Sequence, residues 1–120
     1  MDPRLVTELL RRLQRRQPPI MPRTAALVLE CCTIRGASDC YDLLDMACQA
    51  VDDWSEVFRE FDLEQRPCMP GSELQTALTY CGYPVSGEFL RLLRTIYSPI
   101  GWVTFDAFIT ACSVLASVCK

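Results

Sequence analysis

The chain has 120 residues, half of them apolar, which is enough for one compact domain with a real core and argues against a second independent one. Its net charge of −3 is unevenly spread: seven arginines face three acids before residue 36, and five basic residues face twelve acids after it. With "RRLQRR" the only Arg-rich run, this balance argues against a nucleic-acid binder.

Residues 4–16, "RLVTELLRRLQRR", place Leu5, Val6, Leu9, Leu10 and Leu13 on one helical face, with Arg11, Arg12, Arg15 and Arg16 largely off it. Such a stripe either packs on its own domain or, as a basic amphipathic helix, meets an acidic partner or a membrane surface. Arginines stand where a secretory leader has its apolar core, and Asp2 and Glu8 argue against an organellar one. No apolar run approaches the ~20 residues of a membrane span, so a soluble, cytoplasmic chain is expected. The prolines of "QPPIMPR" end this segment, and a domain boundary is placed between residues 23 and 24.

Thr24 is the expected cap of a second helix through "AALVLECC", and Ser38 or Asp39 that of a third from about Tyr41 towards Phe61. Along the third, Tyr41, Leu44, Cys48, Val51, Trp54 and Phe58 recur at steps of three and four, opposite Asp45, Asp52, Asp53 and Glu56. A loop, a helix from Ser72 to about Tyr80, and a helix "GEFLRLLRTIY" capped by Ser86 follow. "SPIGW" then leads into the last helix, "VTFDAFITACSVLASVC". The fold class is all-α, an array of helix–loop–helix units over residues 24–53, 54–85 and 86–120, with one short strand pair setting Met69 opposite Val103.

Eight cysteines (31, 32, 40, 48, 68, 81, 112 and 119) form no C-x-x-C pair, and the missing histidine removes the usual mixed zinc set. Buried thiols in a reducing compartment are expected. Cysteine nucleophiles lean on a histidine, and no nucleophile elbow or glycine-rich phosphate cradle is present, so no catalytic site is assigned.

"DLEQRPCMPGSE", residues 62–73, opens and closes like a calcium loop. An EF-hand loop needs oxygen ligands at positions 1, 3, 5, 7 and 9, a glutamate at 12, and glycine at 6 for the sharp turn. Counting from Asp62 puts Glu64 at 3, Arg66 at 5, Pro67 at 6, Cys68 at 7, Pro70 at 9 and Glu73 at 12. A guanidinium replaces an oxygen, and proline cannot take the positive φ of the turn glycine. The residual set Asp62, Glu64 and Glu73 supports weak binding of calcium at most, and the expectation is no metal and no cofactor.

"WSEVFREFDLEQRPCMPGSELQTALTYCGYPVS" and "IYSPIGWVTFDAFITACSVL" resemble the third and fourth hands of the penta-EF-hand family. Trp54, Phe58, Phe61, Asp62, Glu73, Leu74, Ala77, Leu78, Gly82 and Tyr83 answer to the family pattern of the third hand. Gly101, Val103, Phe105, Asp106, Phe108 and Ile109 answer to that of the fourth. The match covers residues 54–115; residues 24–53 resemble the second hand more loosely, "TELLRRL" the exit helix of a first, and the sequence stops at Lys120, where a fifth would begin. At ligand positions 1, 3, 5 and 12 the fourth hand shows Ile96, Ser98, Ile100 and Ala107, none of them a carboxylate.

The resemblance implies a binding scaffold that has lost its metal chemistry: a calcium-independent adaptor or regulatory subunit, with a weak calcium sensor based on residues 62–73 as the alternative. It implies recognition of hydrophobic or Pro- and aromatic-rich segments, or of another helical chain, in clefts between helices. Trp54, Val57, Phe58, Phe61, Leu74, Leu78, Tyr80, Tyr83, Phe89 and Leu93 are the cleft candidates, with Tyr80, Tyr83 and Trp102 nearest to loops. The last helix is apolar around nearly its whole circumference. Phe108, Ile109, Cys112 and Leu115 are therefore expected on a second partner surface, making a homo- or hetero-oligomer.

Overall fold

A computed structural model describes residues 2–62, 68–83, 85–97 and 101–118. In chain order these form α1 (Pro3–Leu13), α2 (Pro22–Ile34), α3 (Cys40–Phe61), β1 (Cys68–Pro70), a 3-10 turn (Gly71–Glu73), α4 (Leu74–Tyr80), α5 (Gly87–Tyr97), β2 (Trp102–Thr104) and α6 (Phe105–Val118). The two strands pair antiparallel with Met69 opposite Val103, the expected register, and both side chains are buried. The ladder is extended by the Gly71 N–H donating to the Gly101 carbonyl at 2.8 Å.

The caps follow local chemistry more than helical periodicity. Asp39 caps α3, its Oδ1 accepting from the Asp42 N–H at 2.8 Å, while Asp42 accepts in return from the Ser38 N–H. Ser86 caps α5 by accepting from the Phe89 N–H. Thr24 does not cap α2: the helix begins two residues earlier at Pro22, whose fixed φ and missing N–H suit a first helical position. Thr24 is instead buried, and its hydroxyl donates to Thr110 Oγ1 at 3.2 Å, since the Thr110 hydroxyl already donates to the Asp106 carbonyl. Tyr41 also departs from the expected apolar stripe. It lies in the first turn of α3 and is 78% exposed, so the stripe begins at Leu43 and Leu44.

Two helices end on glycine in the left-handed region, Gly36 at φ 101° and Gly82 at φ 90°. At the second, the Tyr83 N–H reaches the Leu78 carbonyl and the Gly82 N–H the Thr79 carbonyl, the two bonds of a Schellman motif. This turn brings Tyr83 back onto the bundle.

The core is continuous from Leu9 in α1 to Ala116 in α6. At its centre Phe58 meets Phe105 edge-on, with centroids 5.3 Å apart, and Phe108 at 5.5 Å. Such pairs add a modest term to the area they bury. The last helix packs chiefly on α2, and Phe108, Ile109, Cys112 and Leu115 lie within this chain's own core. The expectation that these four residues form a partner surface is corrected here: α2 and α3 cover the face that a helix apolar all round must bury. Val118, 70% exposed, is the large apolar side chain this helix leaves in solvent among the described residues.

α1 packs its apolar stripe on α2 and α3, burying Leu9 and Leu13. Its basic face meets the acidic side of α3: Arg12 pairs with Asp45 at 3.3 Å and Arg16 with Asp52 at 3.2 Å, while Gln17 donates to Asp52 at 2.7 Å. Two arginines of this basic helix thus meet acidic partners within the chain. Glu8, hydrogen-bonded by Arg11 and then Arg12, has its pKa lowered from 4.5 to about 2. A folded-state value below the unfolded one means that the contact contributes above about pH 4.5 and is lost as pH falls towards 2. In a carboxyl NMR titration Glu8 should hold its charge well below pH 4, and Arg11→Gln should bring its midpoint back towards 4.5.

Candidate functional site

Three of the aromatic residues singled out in the sequence come together in a groove between the ends of α2 and α4 and the middle of α3. It is a cavity of about 260 Å³ lined by Arg35, Ala50, Asp53, Trp54, Val57, Tyr80, Cys81 and Tyr83. From α3, Ala50, Asp53, Trp54 and Val57 stand at i, i+3, i+4 and i+7, which puts them on one strip of the helix. The Schellman turn delivers Tyr80 and Tyr83 from the other side.

These aromatics differ in what they can do. Trp54 and Tyr83 are floor residues, nearly buried. Burial pushes the Tyr83 pKa up, and the influence of Trp54 opposes this. Tyr80 is 64% exposed and leans on Phe61, ring centroids 5.8 Å apart, so it stands as a wall beside the floor. Phe58, Leu74, Leu78 and Leu93 are core, and Phe58 is removed from the groove by its packing on Phe105 and Phe108. Trp102 is 39% exposed on the outer face of β2, opposite Pro70, and does not line the groove.

Arg35, Asp53 and Cys81 were not singled out by sequence reasoning. Asp53 accepts from Gln49 at 2.8 Å, and Arg35 is the C-cap of α2. Arg35 and Asp53 put a cation and an anion on the rim of an otherwise aromatic cleft. Cys81 lies at the C-cap of α4, half-buried, and Cys112 is fully buried in α6. The influence of Cys112 lowers the Cys81 pKa, and burial raises that of Cys112 well above the usual thiol value. Their places in the sequence carry one faint signal: Asp53 and Cys81 are neighbours of Trp54 and Tyr80.

The degenerate calcium loop is partly visible. Asp62 is the C-cap of α3, its N–H bonded to the Phe58 carbonyl at 3.0 Å, and Glu73 closes the 3-10 turn. Pro70, at ligand position 9, is a strand residue opposite Trp102. Glu64, Arg66 and Pro67 lie outside the described residues, as do Ser98 and Ile100 of the fourth-hand loop.

Helix–loop–helix units joined by a two-strand ladder between their loops define an EF-hand-like helical scaffold. No family model matches the chain. Over 65 residues it is 32% identical to sorcin of Homo sapiens, covering 54% of this chain and 33% of sorcin. It is 34% identical over 65 residues to peflin of Mus musculus, covering 52% of this chain and 24% of peflin. The chain thus spans about a third or less of the length of these relatives. Both are penta-EF-hand proteins, and over about half its length the chain is similar to them.

Proposed function

We propose that the chain is a non-enzymatic, calcium-independent protein–protein interaction module, an adaptor or regulatory subunit of the cytoplasm, built on a degenerate penta-EF-hand scaffold. The observation that carries this reading is the groove: a rigid aromatic floor of Trp54 and Tyr83 beside the exposed ring of Tyr80. Aromatic side chains fixed in advance lose little entropy on binding, and such residues dominate interface energies. A hydrophobic or Pro- and aromatic-rich segment suits the cleft, its apolar ring or proline on the floor and its polar backbone towards Arg35 and Asp53. Trp102, on the ladder, belongs to a second contact of the same kind. Calcium independence rests on the loop sequence, where Arg66, Pro67 and Pro70 replace two oxygens and the turn glycine.

The test is binding to an array of Pro- and aromatic-rich peptides, with calcium and with chelator, confirmed by titration of the best peptide. Binding should be unchanged by chelator and fall more than tenfold in Tyr80→Ala, as expected for a hot-spot loss of about 2 kcal/mol. The fold should persist, because Tyr80 is mostly in solvent. Micromolar calcium binding that Glu73→Gln abolishes would replace this reading with that of a weak sensor.

A further inference from the structure

A second concavity, which shares no lining residue with the aromatic groove, lies where α1 meets the segment that links it to α2. It is a cavity of about 230 Å³ lined by Leu10, Leu13, Gln14, Pro18, Pro19 and Ile20. Leu10, Leu13 and Gln14 stand at i, i+3 and i+4, so the end of α1 offers one strip of its surface to the cavity. Pro18 and Pro19 add rings of fixed φ and no N–H, which leaves Gln14 as the polar side chain among these six. We propose that this pocket is a second docking site, which takes one large apolar side chain from an acidic segment of a partner protein.

The acidity of the partner follows from the charges around the pocket. Residues 2–23 carry six arginines against Asp2 and Glu8. Asp45, Asp52 and Asp106 reach this segment from α3 and α6, and Arg59 from α3, so seven guanidiniums meet five carboxylates. Two of these cations stand next to the lining in the chain. Arg15 follows Gln14 and Arg23 lies three residues beyond Ile20; both are exposed, and neither has a carboxylate partner among the described residues. The Gln14 amide, also exposed, makes no hydrogen bond among the described residues and is free to serve a partner's backbone. Opposite charge across such a rim speeds encounter and turns away basic partners.

Shape decides between kinds of ligand. The cavity is smaller than the ~300–1,000 Å³ of small-molecule sites, so it suits one leucine, isoleucine or phenylalanine side chain better than a cofactor. A bilayer takes up apolar side chains that protrude, whereas Leu9 and Leu13 of α1 are buried and the pocket is concave. None of the lining residues is aromatic, so nucleic-acid bases find no stacking platform. A side chain entering a hollow already shaped by two proline rings asks for little ordering of the site.

The experiment uses the intact chain and fluorescent peptides with a central Leu, Ile or Phe, flanked by Asp and Glu in one set and by Lys in the other, read by anisotropy. The acidic set should bind and the Lys set should not, with affinity falling about tenfold between low and high salt as the rim charges are screened. Arg15→Glu and Arg23→Glu, both on exposed side chains, should each weaken binding about fivefold or more without disturbing the fold. Methyl NMR shifts on binding should fall on Leu10, Leu13 and Ile20. Tyr80→Ala should leave this binding unchanged; a loss there puts the peptide in the aromatic groove and overturns the proposal. Equal binding of the Lys set, or no binding by any acidic peptide, overturns it too. So does uptake of the chain by phosphatidylserine vesicles in place of the peptides.

Discussion

Ile109→Glu is expected to unfold the domain, with no soluble, folded species left to release from a partner. Ile109 is fully buried in α6, and the buried polar side chains among the described residues, Thr24, Ser55 and Ser113, include no cation. An unpaired carboxylate there costs several kcal/mol, of the order of the whole stability of a domain this size. Circular dichroism with urea titration measures it: loss of the cooperative transition is the expected outcome. A folded variant with unchanged midpoint and altered oligomeric state would show that Ile109 faces another chain instead.

Leu9→Ala should destabilise the chain by about 2–5 kcal/mol, the range for a leucine truncated in a packed core. Leu9 is fully buried although α1 lies at the edge of the sequence and carries the most visible charges. Arg16→Ala, which removes the pair with Asp52, should shift the denaturation midpoint far less, because partly exposed ion pairs contribute little. Comparing the two variants at low and high salt decides what holds α1. Burial predicts a large, salt-insensitive loss for Leu9→Ala, whereas an electrostatic clasp predicts detachment of α1 in concentrated salt, where screening reaches ~3 Å.

Why the last helix misled the sequence reading, while the strand pair did not, is a matter of range. The Met69–Val103 pairing is written into two local patterns, β1 leading through a 3-10 turn into α4 and β2 directly into α6, so register could be read from spacing. The apolar circumference of α6 was equally legible, but its cover comes from α2, more than seventy residues earlier in the sequence. Nothing in the spacing of Phe108, Ile109, Cys112 and Leu115 says whether a face is closed by the same chain or another. The groove was half legible for the same reason. Trp54, Tyr80 and Tyr83 stood out as cleft aromatics, the two tyrosines near loops, yet which tyrosine becomes floor and which becomes wall is fixed by the Gly82 turn. At the start of α2, two local signals competed, and proline at the first helical position outweighed Thr24 as a cap.

The carboxylate of Asp106 accepts a hydrogen bond from the Met21 N–H at 2.8 Å while lying in the first turn of α6. One negative charge thereby serves the positive amino ends of two helices, α2 and its own. The short proline-bearing strap from Pro18 to Met21 is thus moored at both ends, by α1 upstream and by Asp106 downstream. Lengthening or shortening that strap would pull on the amino ends of α2 and α6 together, so a fusion to this protein is better tolerated ahead of α1 than within it.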